Sequence, residues 1–155
     1  FFLFAILLVA ILKPTLGSVI FAIAVVSWPP MARLVRSEFL SIRNREFVQA
    51  CIVMGMGHWQ IIFKHVLPNT LSPIIVTGSL MVATAILIES GLSFLGLTDP
   101  NVMSWGFIIG SGRSVLRTAW WVCAMPGIAI LLTVMAINLV GEGLNDALNP
   151  RLKNI

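Results

Sequence analysis

Apolar residues in this chain gather into four long runs, separated by short stretches that hold nearly all of the charge. The first run, about 1–12, is shorter than the roughly 20 residues a helix needs to cross a bilayer, and Lys13-Pro14 breaks it. It opens at Phe1-Phe2-Leu3-Phe4 without an initiating Met. That reads as a cut helix, with membrane-spanning sequence missing upstream. The second run, about 16–32, meets Pro29-Pro30. Proline disfavours helix for the residue before it. Yet Met31, Leu34, Val35, Phe39, Leu40 and Ile42 keep a helical spacing. The expectation is a membrane helix kinked near the prolines that carries on into water.

The third run, about 70–97, is long enough to cross with tilt. The fourth, about 119–140, holds 22 residues without a formal charge, which as a helix spans about 33 Å. Trp120 and Trp121 open it and suit an interfacial aromatic belt. Between these runs, residues 98–118 read as a loop. Within that loop Trp105-Gly106-Phe107-Ile108-Ile109 is apolar enough to dip into the interface as a re-entrant or surface helix, though too short to cross. The fold class this predicts is an all-α, polytopic transmembrane helical bundle.

Composition sharpens the picture. Over the 155 residues, 58% are hydrophobic and 10% charged, against roughly 45–50% and about 25% in ordinary globular domains. So little charge cannot cover a water-facing surface, and lipid removes that requirement. The net charge of +4 does not point to nucleic acid. The basic residues form no stripe interleaved with aromatics but cluster between apolar runs, where membrane topology accounts for them.

Arg33, Arg36, Arg43, Arg45 and Lys64 lie between runs two and three, and Arg151 and Lys153 lie in the tail. Lys13, Arg113 and Arg117 fall on the other side. Seven against three places the central loop and the C-terminus in the cytoplasm. Runs three and four supply the two crossings this needs.

Catalytic machinery is not visible. Gly110-Ser111-Gly112-Arg113-Ser114 has neither the length nor the lysine of a phosphate-binding loop. His58 and His65 lack the glutamate of a zinc-protease pattern. Cys51 and Cys123 have no metal-like spacing and read as free thiols packed as small hydrophobes. The chain is therefore read as binding no cofactor and no metal.

The informative stretch is the central loop, about 44–68. It is too apolar for a solvated linker and reads as a short helix up to Met54, a glycine break at Gly55 and a second helix from about Gly57. Gly55 can take positive φ and close the first helix, Gly57 is a weak cap for the second, and Pro68 ends the loop before the third span. Two readings fit so apolar a loop. Another protein covers it, or it packs against its own helices.

Here the sequence resembles a known family. Gln49-Ala50-Cys51, then Gly55, then Leu67-Pro68 fall at the intervals of the "EAA" loop of binding-protein-dependent ABC importer permeases. That pattern is Glu-Ala-Ala, three residues, Gly, nine residues, an apolar residue, any residue, Leu-Pro. The wider chain is similar to the dipeptide/oligopeptide/nickel branch. The resemblance is carried by Ser27-Trp28-Pro29, Ala32-Arg33-Leu34-Val35-Arg36, Trp59 to Asn69, Leu92-Ser93-Phe94-Leu95-Gly96-Leu97 and Asp146 to Leu152.

The resemblance implies a type I importer permease fold, with this chain holding the last three to four helices of six. It also implies alternating-access transport of small peptides or related solutes across a bacterial or archaeal cytoplasmic membrane. The implied partners are a second homologous permease, two ATPase subunits that carry the ATP-Mg, an extracytoplasmic binding protein and membrane lipid. The loop would be the coupling helix that docks on the ATPase, with Glu46, Gln49, Ala50, Cys51, Gly55, Gly57, Leu67 and Pro68 as its site residues.

Two positions depart from the pattern. Gln49 replaces a glutamate and Cys51 an alanine. Gln49 keeps a hydrogen bond but loses a charge whose exposed ion pair is worth about 0–1 kcal/mol, and Glu46 lies one turn earlier.

Glu89 is the one acidic residue in the third run. Ionised and unpaired at mid-bilayer, a carboxylate costs a few kcal/mol, but about 20 residues past Pro68 it falls near the outer surface. Glu89 with Ser90 either lines the translocation path or its gate, or forms a helix-to-helix hydrogen bond. Outside the resemblance, an ion-coupled secondary transporter or a non-transporting structural subunit also fits the apolar architecture.

Overall fold

Long apolar runs with few breakers form helices because every backbone polar group is then satisfied within the segment, as lipid demands. The computed structural model describes residues 1–148, and among these all regular structure is helical. The elements are α1 (Phe2–Leu12), α2 (Leu16–Arg43), α3 (Glu46–Val53), α4 (His58–Ile61), α5 (Leu67–Phe94), α6 (Trp105–Gly112) and α7 (Trp121–Leu148). A π-helical turn, Ile62–Val66, joins α4 to α5, and a 3₁₀ turn, Arg113–Val115, follows α6. Asn149, Pro150, Arg151, Leu152 and Lys153, used above for the resemblance or the charge count, lie outside the described residues.

Among the described residues three helices are long and apolar enough to cross a membrane: Leu16–Arg43, His58–Phe94 and Trp121–Leu148. Only 17%, 6% and 11% of their apolar windows are buried, so most of their apolar side chains lie outside the core of the described residues, as lipid-facing helices require.

The helix ends explain several departures from the sequence reading. Pro68 does not end a loop, because the helix runs unbroken from His58 to Phe94. A proline inside a helix has no N–H to donate and crowds the carbonyl four residues earlier, here that of Lys64. The π turn over Ile62–Val66 surrounds that carbonyl and supplies the extra residue that such a site needs. Helix α2 continues through Pro29 and Pro30 to Arg43, as the helical spacing after the prolines predicts.

Helix α5 stops at Phe94, short of Leu97, because Gly96 takes φ 76°. Gly96 N–H donates to Ser93 O at 3.0 Å and Leu97 N–H to Leu92 O at 3.0 Å, the paired bonds of a Schellman cap. Helix α7 extends past Val140 to Leu148.

The chain divides into two compact units, Phe1–Trp28 with Leu80–Asn138, and Pro29–Ser79 with the segment from Leu139 onward. In the first, Ala5 and Val9 of α1, Val19, Ala22 and Val26 of α2, and Ile88 and Leu92 of α5 form a buried cluster. Helix α6 lies directly on α5 here. A Cβ at Gly106 would overlap the Ser90 backbone and sit 2.8 Å from Ser93 Cβ, and one at Gly110 would sit 3.2 Å from Phe94 Cα. The Gly106-x-x-x-Gly110 spacing thus lets two backbones touch. The Arg113 guanidinium covers the Phe94 ring at 4.7 Å. In the second unit Gly141 receives Ser79 at similarly close range, and Ser72 donates to Asn145 Oδ1.

Candidate functional site

The central loop is built from its caps inward. Glu46 opens α3, where a carboxylate complements the helix N-terminus. At the other end Gly55 takes φ 75°. Its N–H donates to Ile52 O at 3.0 Å, and Met56 N–H reaches back to Cys51 O at 3.2 Å. This is a second Schellman cap, and Met56 packs against the buried cluster below it. Gly57 is extended and sits at the N-cap of α4 without a side-chain cap. The two glycines therefore do different jobs. Gly55 needs the left-handed region, while Gly57 does not.

The loop has two faces. Val48 and Cys51 of α3 are buried with Ile42, Ile61 and Val66, and Phe39 closes the cluster. This inner face packs on the chain's own helices. The outer face carries Glu46, Gln49, Ala50 and Val53, all exposed. Their i, i+3, i+4, i+7 spacing puts them on one stripe of the helix. Val53 is 87% exposed and Met54 at its tip 70%. The tip of a helix with its own buried face is thus apolar and exposed.

Gln49 Nε2 donates weakly to Arg43 O at 3.4 Å. It thus spends its amide on the end of α2 and adds no charge to the stripe, leaving Glu46 as the stripe's only carboxylate.

Beyond the turn, Trp59 is 75% exposed and stacks on Phe63 with ring centroids 5.9 Å apart. Leu67 is half-buried and Pro68 exposed. The apolar position of the loop pattern falls on His65, whose Nε2 is buried without a hydrogen-bond partner among the described residues. Sequence reasoning missed Val53, Met54, Trp59 and Phe63 as surface candidates. The stripe that starts at Glu46 was the signal for Val53, and the i, i+4 spacing of Trp59 and Phe63 was the signal for the stacked pair.

The second candidate, Glu89, lies in the first unit. The hydroxyl of Ser93, a residue only 2% exposed, donates to Glu89 Oε1 at 2.7 Å. Ser93 Oγ also lies 2.9 Å from Thr98 Oγ1 and 2.9 Å from Ser104 Oγ. A hydroxyl has one proton and two lone pairs, so Ser93 gives its proton to the carboxylate and accepts from both partners. Ser104 in turn accepts from Phe107 N–H at 3.2 Å as the N-cap of α6. Glu89 thus anchors a chain of hydroxyls that fixes the start of α6.

The same carboxylate lines a groove of about 890 Å³ together with Ser90, Ser104, Trp105, Ile23, Ala24 and Ile86. Ser90 Oγ is buried and has no hydrogen-bond partner among the described residues. Glu89 and Ser90 are brought together on this groove. The sequence reading named them but not Ser93, which is the hub.

The family model described as "Binding-protein-dependent transport system inner membrane component" matches residues 1–154. The chain is 45% identical over 153 residues to a di/tripeptide transport system permease protein DppC of Pseudomonas aeruginosa (strain UCBPP-PA14), covering 98% of this chain and 50% of the relative. It is 44% identical to a dipeptide transport system permease protein DppC of Alkalihalophilus pseudofirmus, with the same coverage. To a putative peptide transport system permease protein of Brucella suis biovar 1 it is 46% identical over 152 residues, 97% of this chain and 51% of the relative. The chain spans about half the length of the curated relatives it matches. With three membrane-length apolar helices and a family model matched along nearly its whole length, this multi-pass chain belongs to the binding-protein-dependent transport system inner membrane component family.

Proposed function

We propose that the chain is part of the permease of an ATP-driven importer for small peptides, and that the α3–Gly55–α4 element is where the motor grips it. The carrying observation is the two-faced loop. Its inner face is already satisfied by Ile42, Val48, Cys51, Ile61 and Val66. Its outer stripe of Glu46, Gln49, Ala50 and Val53, with Met54 at the tip, is exposed. Water is a poor permanent neighbour for that tip. An ATPase subunit presenting an apolar cleft with a basic rim would cover Val53 and Met54 and meet Glu46.

On this reading two ATPase subunits carry the ATP-Mg, a second homologous permease completes the pore, and an extracytoplasmic binding protein delivers the cargo. The loop faces the cytoplasm, as the excess of lysine and arginine around it supports. Closure of the ATPase pair moves α3, and the Gly55 cap passes that motion into the helix running from His58 to Phe94. Glu89 and Ser90, on the groove lined by the same helix, line the translocation path or its gate. Peptide cargo is supported by the di/tripeptide, dipeptide and peptide transport systems to which the relatives belong.

The test is uptake into proteoliposomes holding the complete transporter with its binding protein. Accumulation of a labelled dipeptide that requires ATP and proceeds without an ion gradient supports the reading. Accumulation driven by an ion gradient alone overturns it.

A further inference from the structure

Beside the coupling loop, inside the second unit, lies a separate groove of about 400 Å³, within the range of roughly 300–1,000 Å³ usual for small-ligand sites. Its lining includes the exposed Arg36, Arg43 and His58, and among the described residues no acidic side chain lines it. Arg36 and Arg43 are two turns apart on α2 and so share a face. The walls are apolar, formed chiefly by Phe39, Leu40, Ile61 and Val66. Two guanidiniums beside apolar side chains suit a ligand with an anionic head and a hydrocarbon tail. A small anion would leave the walls uncovered. A neutral apolar segment would leave two guanidiniums facing it without compensation.

We infer that this groove holds an anionic phospholipid, its phosphate between Arg36, Arg43 and His58 and an acyl chain along Phe39, Leu40 and Ile61. The occupant is drawn from the bilayer that α2 crosses, because the arginines follow the apolar part of the same helix and stand where headgroups are met. The groove shares Val48 and Ile52 with α3, on the side away from the exposed stripe. Lipid and ATPase therefore occupy adjoining surfaces without competing.

The experiment is retention of phosphatidylglycerol or phosphatidylcholine of the same chain length by the complete transporter in mild detergent, read by native mass spectrometry. The wild type is expected to retain phosphatidylglycerol in preference, and inorganic phosphate should not displace it. The exposed pair Arg36→Gln with Arg43→Gln should weaken retention by about fivefold per arginine, roughly 25-fold together. Leu40→Gln should weaken it through the apolar wall. Equal retention of both lipids, displacement by inorganic phosphate, or an affinity indifferent to both arginines would overturn the proposal, the last by pointing to a protein segment in the groove.

Discussion

Gly55 and Gly57 offer a matched pair, because the structure gives them the same space and different backbones. A Cβ at either would meet nothing within 4 Å, so steric bulk cannot distinguish them. Gly55 sits at φ 75° and Gly57 at φ −64°. A side chain forced into the left-handed region costs about 1–2 kcal/mol, so Gly55→Ala should lower the population of the capped loop by roughly 5–30-fold. Asn tolerates that region and should cost less, while a β-branched Val is an outlier there and should cost more. Gly57→Ala loses a modest cap preference but gains from a less flexible unfolded chain, and should be near neutral. The assay is peptide moved per ATP hydrolysed by the complete transporter in proteoliposomes, with membrane levels of each variant matched. Transport per ATP should fall in the order Asn, Ala, Val at position 55 and stay unchanged for Gly57→Ala. If Gly57→Ala uncouples as strongly as Gly55→Ala, or Asn as strongly as Val, the left-handed cap is not what transmits the motion.

Three further outcomes follow from the packing. Val53→Ser removes an apolar anchor worth about 1.5–3 kcal/mol if fully covered by the partner, so the ATPase subunit should bind roughly tenfold or more weakly in a titration of the detergent-solubilised complex. Gly106→Leu drives a side chain into the Ser90 backbone, where Gly110→Ala meets Phe94 Cα at 3.2 Å. Overpacking of about 1–3 kcal/mol should therefore lower the thermal midpoint more for the first than for the second. Ser93→Ala strips a donor from Glu89 and an acceptor from Thr98 and Ser104, at about 1–3 kcal/mol, whereas Glu89→Gln keeps an acceptor for Ser93. The midpoint should drop further for Ser93→Ala, and the reverse order would remove Ser93 as the hub.

Much of this was legible from residues whose chemistry is local. The glycine break could be read because a helix-forming run that meets Gly55 reaches a residue able to take positive φ and close it. The four apolar runs announced helices because lipid leaves the backbone little alternative. Other features depended on what meets what. Pro68 reads as a terminator, yet the π turn over Ile62–Val66 absorbs it, and nothing in the run Ile62-Phe63-Lys64-His65-Val66 announces that turn. Gly106 and Gly110 stood in plain view as a small-residue spacing. Without the position of α5 there was no way to see which backbone they meet. Ser93 looks like any serine near a helix end until Glu89, Thr98 and Ser104 converge on it. For the loop, partner-covered and self-packed were posed as rivals. Val48 and Cys51 face inward and Val53 and Met54 outward, so self-packing describes the inner side of this short helix, and the outer side is the surface that the proposed partner would cover.

The most direct measurement is a photo-crosslinker placed at Val53 in the intact transporter and activated with and without ATP. The account requires adducts to the ATPase subunit whose yield changes with nucleotide. Adducts confined to this chain or to lipid in both states would contradict it.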